Sequence, residues 1–373
     1  MTAGKRLDPI ADELSWQPVP ATGPVIGSRS GERSSLDDES FALVVGGGVF
    51  VIVAIVAAFV FWGRELAIDG RNSLGDFTAI AGGIAAALGF ALSRMLPRRR
   101  PDAGAGPTED ERYRWFDITA LSVAHGAIAL LGWIGIATVL EHSLVGATVY
   151  TSPAVVLAAA ASALSAYLAF LSGASLSPRH LSLVLAVFLV VGLVTAMLSA
   201  GDPQWWQMNL SALGITHDIS SLTFNFTLIV SGVIVTTIAR LGTSSLPSTT
   251  VRDRRRRLIV RVIFVLLGVL LACVGIFPVD RFFLVHNTVA TGMAVAYAAL
   301  VLALPWLIPS MPRVFIALGY IYVVAIVGLA LLFAAGIYNL TAVELVAALL
   351  IFSWLILFLR NVQTVSSRKR SAS

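Results

Sequence analysis

Between residues 41 and 360 the chain alternates long apolar runs with short polar connections. A helix needs about 20 apolar residues to cross the hydrocarbon of a bilayer. Ten runs meet that length: 41–62, 77–96, 117–140, 150–171, 180–200, 221–241, 258–277, 285–308, 313–336 and 341–360. Backbone amides cannot go unpaired in lipid, and these runs are too long and unbroken for the strands of a barrel. The expected fold class is therefore all-α, a polytopic transmembrane helix bundle of ten spans. Composition agrees, since 57% of the 373 residues are hydrophobic and 13% are charged, against about a quarter charged in a soluble domain.

Lysine and arginine set the expected orientation, because they accumulate in cytoplasmic connections. With the N-terminus inside, nineteen of the 26 fall on the cytoplasmic side, including "PRRR" at 97–100 and "RDRRRR" at 252–257. Three, Arg64, Arg71 and Arg281, fall outside, and Arg94, Arg240, Arg261 and Arg360 lie at the inner ends of spans. Both termini are expected in the cytoplasm, with the protein multi-pass in the plasma (inner) membrane. The net charge of +5 then reflects topology beside an anionic leaflet. No folded basic surface with aromatic or polar readers accompanies it, so no nucleic-acid partner is expected.

Residues 1–39 are polar and carry "SRSGERSSLDDES". They lack the short basic head and prompt apolar stretch of a secretory signal and read as a disordered cytoplasmic tail. The remaining divisions are a four-span bundle at 40–175, a six-span bundle at 176–360 and a basic cytoplasmic tail at 361–373. Cys273, the one cysteine, lies inside an apolar run and reads as a small core residue.

Helices in lipid associate through close backbone approach at small residues. The fourth span offers Ala158, Ser162 and Ala166 at four-residue spacing, and the second reads "AIAGGIAAALGFALS". "VVGGGVF" at 44–50 has neither the following glycine nor the flanking strand of a dinucleotide loop, so packing is its expected use.

Ionisable and polar groups in spans mark function by default. Most gather toward the outer ends: Asp202, Asn209, Asp218, Asn225, Asp280, Arg281, His286, Asn287, Asn339 and Glu344. The longest outer connection, 201–220, contains no lysine or arginine. It reads either as an interfacial belt of Trp205 and Trp206 or as a lid carrying Asn209, Ser211 and Asp218. His286 and Asn287 open a span close to Asp280 and Arg281, and Thr291 shares the face of Asn287. The candidate ligand-binding set is Asn209, Asp218, Asn225, Asp280, Arg281, His286 and Asn287.

Several of these groups also have structural readings. "TAVE" at 341–344 has capping-box spacing, Asp218 and Asp117 suit helix starts, and His125 suits a buried histidine satisfied by a serine or a carbonyl. The five histidines, His125, His142, His180, His217 and His286, show no HxxxH or HExxH spacing, so neither a metal site nor a cofactor is expected.

"GIFPVDRFFLVHNTVA" at 275–290 resembles a signature of a bacterial integral membrane family, domain of unknown function 998. "NLSALGITHDISSLTFNFTLIVSG" at 209–232 resembles an earlier loop of that family. The likeness covers about residues 180–360. It implies a shared six-helix bundle with Asn209, Ser211, Leu213, Gly214, Asn225, Gly275, Phe277, Pro278 and His286 as motif positions, and it implies no activity.

Three functions fit the residues. The first is binding or handling of a membrane lipid or amphiphile, with Arg281 facing phosphate because its planar donors pair bidentately. The second is a lipid-modifying enzyme using His286 as general base beside Asp218 or Asp280. The third is a non-catalytic scaffold or regulator with a membrane-protein partner. Mid-membrane acids and broken helices of the kind ion-coupled transporters carry are not evident in the sequence.

Overall fold

A computed structural model describes residues 26–96, 114–175, 178–215, 218–244, 246 and 250–370. The expected helices form in order: α1 Ile26–Val60, α2 Leu74–Met95, α3 Arg114–Ser143, α4 Thr151–Ala174, α5 Pro178–Leu198, α6 Ile219–Ser244, α7 Val251–Ile276, α8 Phe283–Leu307, α9 Arg313–Ala334 and α10 Leu340–Arg370. Each contains a segment long and apolar enough to cross a membrane, ten among the described residues. The protein is an all-α, multi-pass membrane bundle.

Three helices clearly overrun the apolar runs that seed them, among them α7, which starts at Val251. Helix α1 begins at Ile26, within the segment expected as tail, and α10 continues to Arg370. Propagation of an existing helix adds a hydrogen bond per residue without a new nucleation cost, so polar flanks join it. Residues 1–25 and 371–373 lie outside the described residues.

Helix α2 lies between α3 and α4 and packs on both through its small residues. A side chain added at Gly83 would meet the carbonyl of Gly126 on α3 and Leu130, and one at Gly89 would meet the backbone of Ala166 on α4. Ala158, Ser162 and Ala166 are fully buried, as their spacing predicts. Of the "GGG" in α1, Gly46 packs on α4 at Ala163, whereas Gly47 and Gly48 face open space. One apolar core runs from Ala86 and Phe90 through Leu185, Phe188, Ile234 and Phe264 to Trp354 and Phe358, crossing the expected division near residue 176.

Polar groups tie the helices at both ends of the bundle. On the face where α3 starts and α6 ends, Asp117 forms an ion pair with Arg240. Asp117 thus joins two helices, in addition to favouring the first turn of α3 where it stands. His125 donates or accepts at both ring nitrogens, to Leu121 O at 2.7 Å and Ser172 Oγ at 2.8 Å, and stacks on Phe90. That is the structural role its setting predicts, with Ser172 as the serine. At the opposite face, called distal below, strands β1 Glu65–Ala67 and β2 Thr148–Tyr150 pair antiparallel, Leu66 opposite Val149. This short ribbon links the α1–α2 and α3–α4 connections.

Candidate functional site

The distal polar residues are organised by the connection between α5 and α6. It folds into two 3-10 turns, Trp205–Gln207 and Leu210–Gly214, the second buried throughout. Leu210 and Leu213 seat against Ala196 of α5 and Phe224 of α6, with Trp205 packed alongside. Trp206 remains half-exposed. The segment is a plug seated by apolar contacts, with one tryptophan packed against the buried cluster and its neighbour half-exposed.

Polar side chains of α6, α8 and α10, and of the residues that precede α6 and α10, hold it in place. His286 of α8 is 3% exposed. Its Nε2 lies 3.0 Å from Ser211 Oγ and its Nδ1 lies 2.8 Å from Phe277 O. Asn225 of α6 donates from Nδ2 to Gly214 O at 2.9 Å. Asp218 accepts the Ser221 amide at 3.0 Å, the expected cap of α6, and the Gly201 amide at 3.3 Å. Ser220 donates to Ala196 O at 2.8 Å. Asn339 donates to Trp206 O at 3.0 Å.

Glu344 departs from the expected capping box. Asn339, not Thr341, caps α10, by accepting the Ala342 amide at 3.1 Å. Glu344 instead reaches across to the plug, where its Oε2 accepts the Leu210 amide at 2.6 Å, and the Ser211 amide also hydrogen-bonds to it. A carboxylate at the start of a 3-10 turn satisfies donors that have no partner inside the turn.

The candidate set therefore divides. Asp218, Asn225 and His286 converge on the plug, Asp218 at the Gly201 amide, Asn225 at Gly214 O and His286 at the Ser211 hydroxyl. Asn209 precedes the second turn, with its backbone extended there and its Oδ1 buried. Asp280 and Arg281 face each other at 3.7 Å in the exposed α7–α8 connection. Asn287 and Thr291 are exposed, on a face of α8 away from His286. His217 lies outside the described residues. Among the described residues no three of His, Cys, Asp and Glu cluster as metal ligands. Sequence reasoning placed Glu344 and Asn339 at the right depth but could not see the plug they grip.

A larger opening than the small cavity beside the plug lies elsewhere. Where α3 and α4 part over the distal half of α2, a cleft of about 300 Å³ opens sideways. Its lining is apolar apart from Thr78 and the Trp133 ring: Ile68, Leu74, Gly75, Ile136, Ala137, Leu140, Leu157, Ala160, Ala161 and Leu164 complete it. Ile136, Leu140, Leu157 and Leu164 are each 42–54% exposed, so the cleft faces the hydrocarbon. Trp133 Nε1 donates to Ser165 Oγ at 2.9 Å, a bond from α3 to α4 that closes its inner end. Nothing in the sequence marks this cleft, because its lining reads as ordinary span residues. Small residues at 75, 160 and 161 leave the volume.

No family model, curated protein or solved structure matches the chain.

Proposed function

We propose that this multi-pass protein binds a membrane lipid, with an acyl chain lying in the cleft over α2, and that it does so in the plasma membrane with both termini cytoplasmic. The observation that carries the reading is an apolar cleft of about 300 Å³ open to hydrocarbon along one side. A concave apolar site with few polar groups is the usual form of a small-molecule site, and in a bilayer the molecule at hand is lipid. The distal polar residues support the same reading indirectly. They serve as clamps for the plug, and His286 has both ring nitrogens engaged. Acting as a general base would require it to release one of those partners.

A phospholipid carrying a photoactivatable diazirine in mid-chain tests the proposal. Crosslinks are expected to concentrate at Ile136, Leu157 and Leu164, well above Val324 of α9, which is 71% exposed and serves as a lipid-facing reference. Ala160→Phe, which extends into the cleft from an exposed position, is expected to lower that excess to the level at Val324. Even labelling of all lipid-facing positions in the unsubstituted protein contradicts the proposal.

A further inference from the structure

The cleft over α2 has a definite depth and a floor. Helix α2 enters it on the distal side at Leu74 and Gly75, with Ile68 alongside. Two turns deeper the Trp133 ring lies against Gly82 of α2, where an added side chain would strike it. Its Nε1 donates to Ser165 Oγ of α4, so the indole bars the way inward. From Leu74 to Gly82 the helix advances about 12 Å. The cleft therefore suits the first part of a lipid chain, next to the headgroup, and its open side lets the remainder run on in the bilayer.

Thr78 stands one turn inside the distal end, on the cleft wall. It is 7% exposed, and its Oγ1 keeps some accessible surface, unlike the enclosed hydroxyls of Ser162 and Thr237. Among the described residues this hydroxyl has no hydrogen-bond partner. Thr138, Thr236 and Thr288 turn theirs onto the carbonyl four residues earlier, at 2.7–3.0 Å, and Thr78 does not. The other polar side chain on the wall, Trp133, is committed to Ser165. One donor is thus left over on an otherwise apolar wall. A hydroxyl without a partner in hydrocarbon is costly, and a ligand acceptor at that height removes the cost.

Building on the lipid-binding reading, we infer that the cleft recognises an ester-linked glycerolipid, with the Thr78 hydroxyl donating to an ester carbonyl. The depth fits, because the ester linkage lies where headgroup meets hydrocarbon and Thr78 is about 6 Å in from the start of α2. Below the carbonyl the chain runs past Ala137, Ala160 and Ala161 toward Trp133. An ether-linked lipid fills the same apolar volume but has no carbonyl at that height, so it forgoes this bond. The preference concerns the linkage and not the headgroup, since among the described residues no charged side chain lines the cleft.

The test reconstitutes the full chain in nanodiscs holding equal amounts of dioleoyl phosphatidylcholine and its dialkyl ether analogue with the same chains, and weighs the retained lipid by native mass spectrometry. The ester lipid is expected to exceed the ether lipid by about fivefold, the effect of one neutral hydrogen bond. Thr78→Val, which keeps the shape and removes the hydroxyl, is expected to equalise the two while lipid is still retained, and Thr78→Ser to preserve the preference. Ala160→Phe is expected to remove retention of both. Equal retention by the unsubstituted protein, or an excess of the ether lipid, overturns the ester inference and leaves the cleft reading standing. So does an ester preference that survives Thr78→Val. Retention of both unaltered by Ala160→Phe overturns the cleft reading itself. Should Thr78→Val not fold, Thr78→Ala, which also lacks the hydroxyl, carries the same expectation.

Discussion

His286 is held as a structural part by its two hydrogen bonds and its burial. Replacing it with alanine orphans Ser211 Oγ and Phe277 O together, and each buried group left unpaired costs about 1–3 kcal/mol. His286→Ala is therefore expected to lower the melting temperature in detergent. It should also raise hydrogen exchange at Leu210 to Gly214, with lipid retention in the distant α2–α4 cleft unaltered. Loss of lipid retention in a variant that remains folded would show that the plug and the cleft act together. Glu344 gives a parallel case, since Glu344→Ala frees the Leu210 amide and is expected to speed exchange at that residue first. At this scale the sequence was only partly legible. "TAVE" matches a capping box by spacing, but spacing cannot reveal that amides from residue 210 arrive beside Glu344 after folding. Similarly, a cleft lined by Leu, Ile and Ala leaves no mark on an apolar run.

Between elements, an ion pair joins Asp117 on α3 to Arg240 on α6, with side chains 14% and 22% exposed. Breaking such a pair from one side leaves a buried charge and costs about 3–5 kcal/mol, whereas removing both partners costs far less. Asp117→Ala and Arg240→Ala are each expected to destabilise the bundle markedly, and the double variant less than either. A double-mutant cycle on detergent melts reads this directly, and strict additivity would contradict it. Small residues set the other contacts. Gly89 touches the Ala166 backbone, so Gly89→Leu is expected to pry α2 from α4 and reduce the folded yield, while Gly48→Leu, facing open space, is expected to be silent. These contacts were legible because close helix approach demands small residues at fixed spacing. The overruns of α1 and α10 were not, since polar flanks have no apolar period to read.

Over the whole molecule, ten apolar helices alternate between two faces. The plug, the ribbon of β1 and β2 and the distal end of the cleft share the distal face, and among the described residues Arg252 and Arg254–Arg257 at the start of α7 lie at the other. That arrangement was legible almost entirely from run length and the distribution of arginine, because burying backbone in oil admits few alternatives. The account depends on the distal face meeting the outside. Cys273, the one cysteine, can be replaced by serine, and single cysteines can then be placed at the exposed positions Asp202 and Arg255. In intact cells a membrane-impermeant maleimide is expected to label Asp202→Cys at once and Arg255→Cys only after permeabilisation. Labelling of Arg255→Cys from outside with Asp202→Cys protected, or of both from one side, would contradict the account.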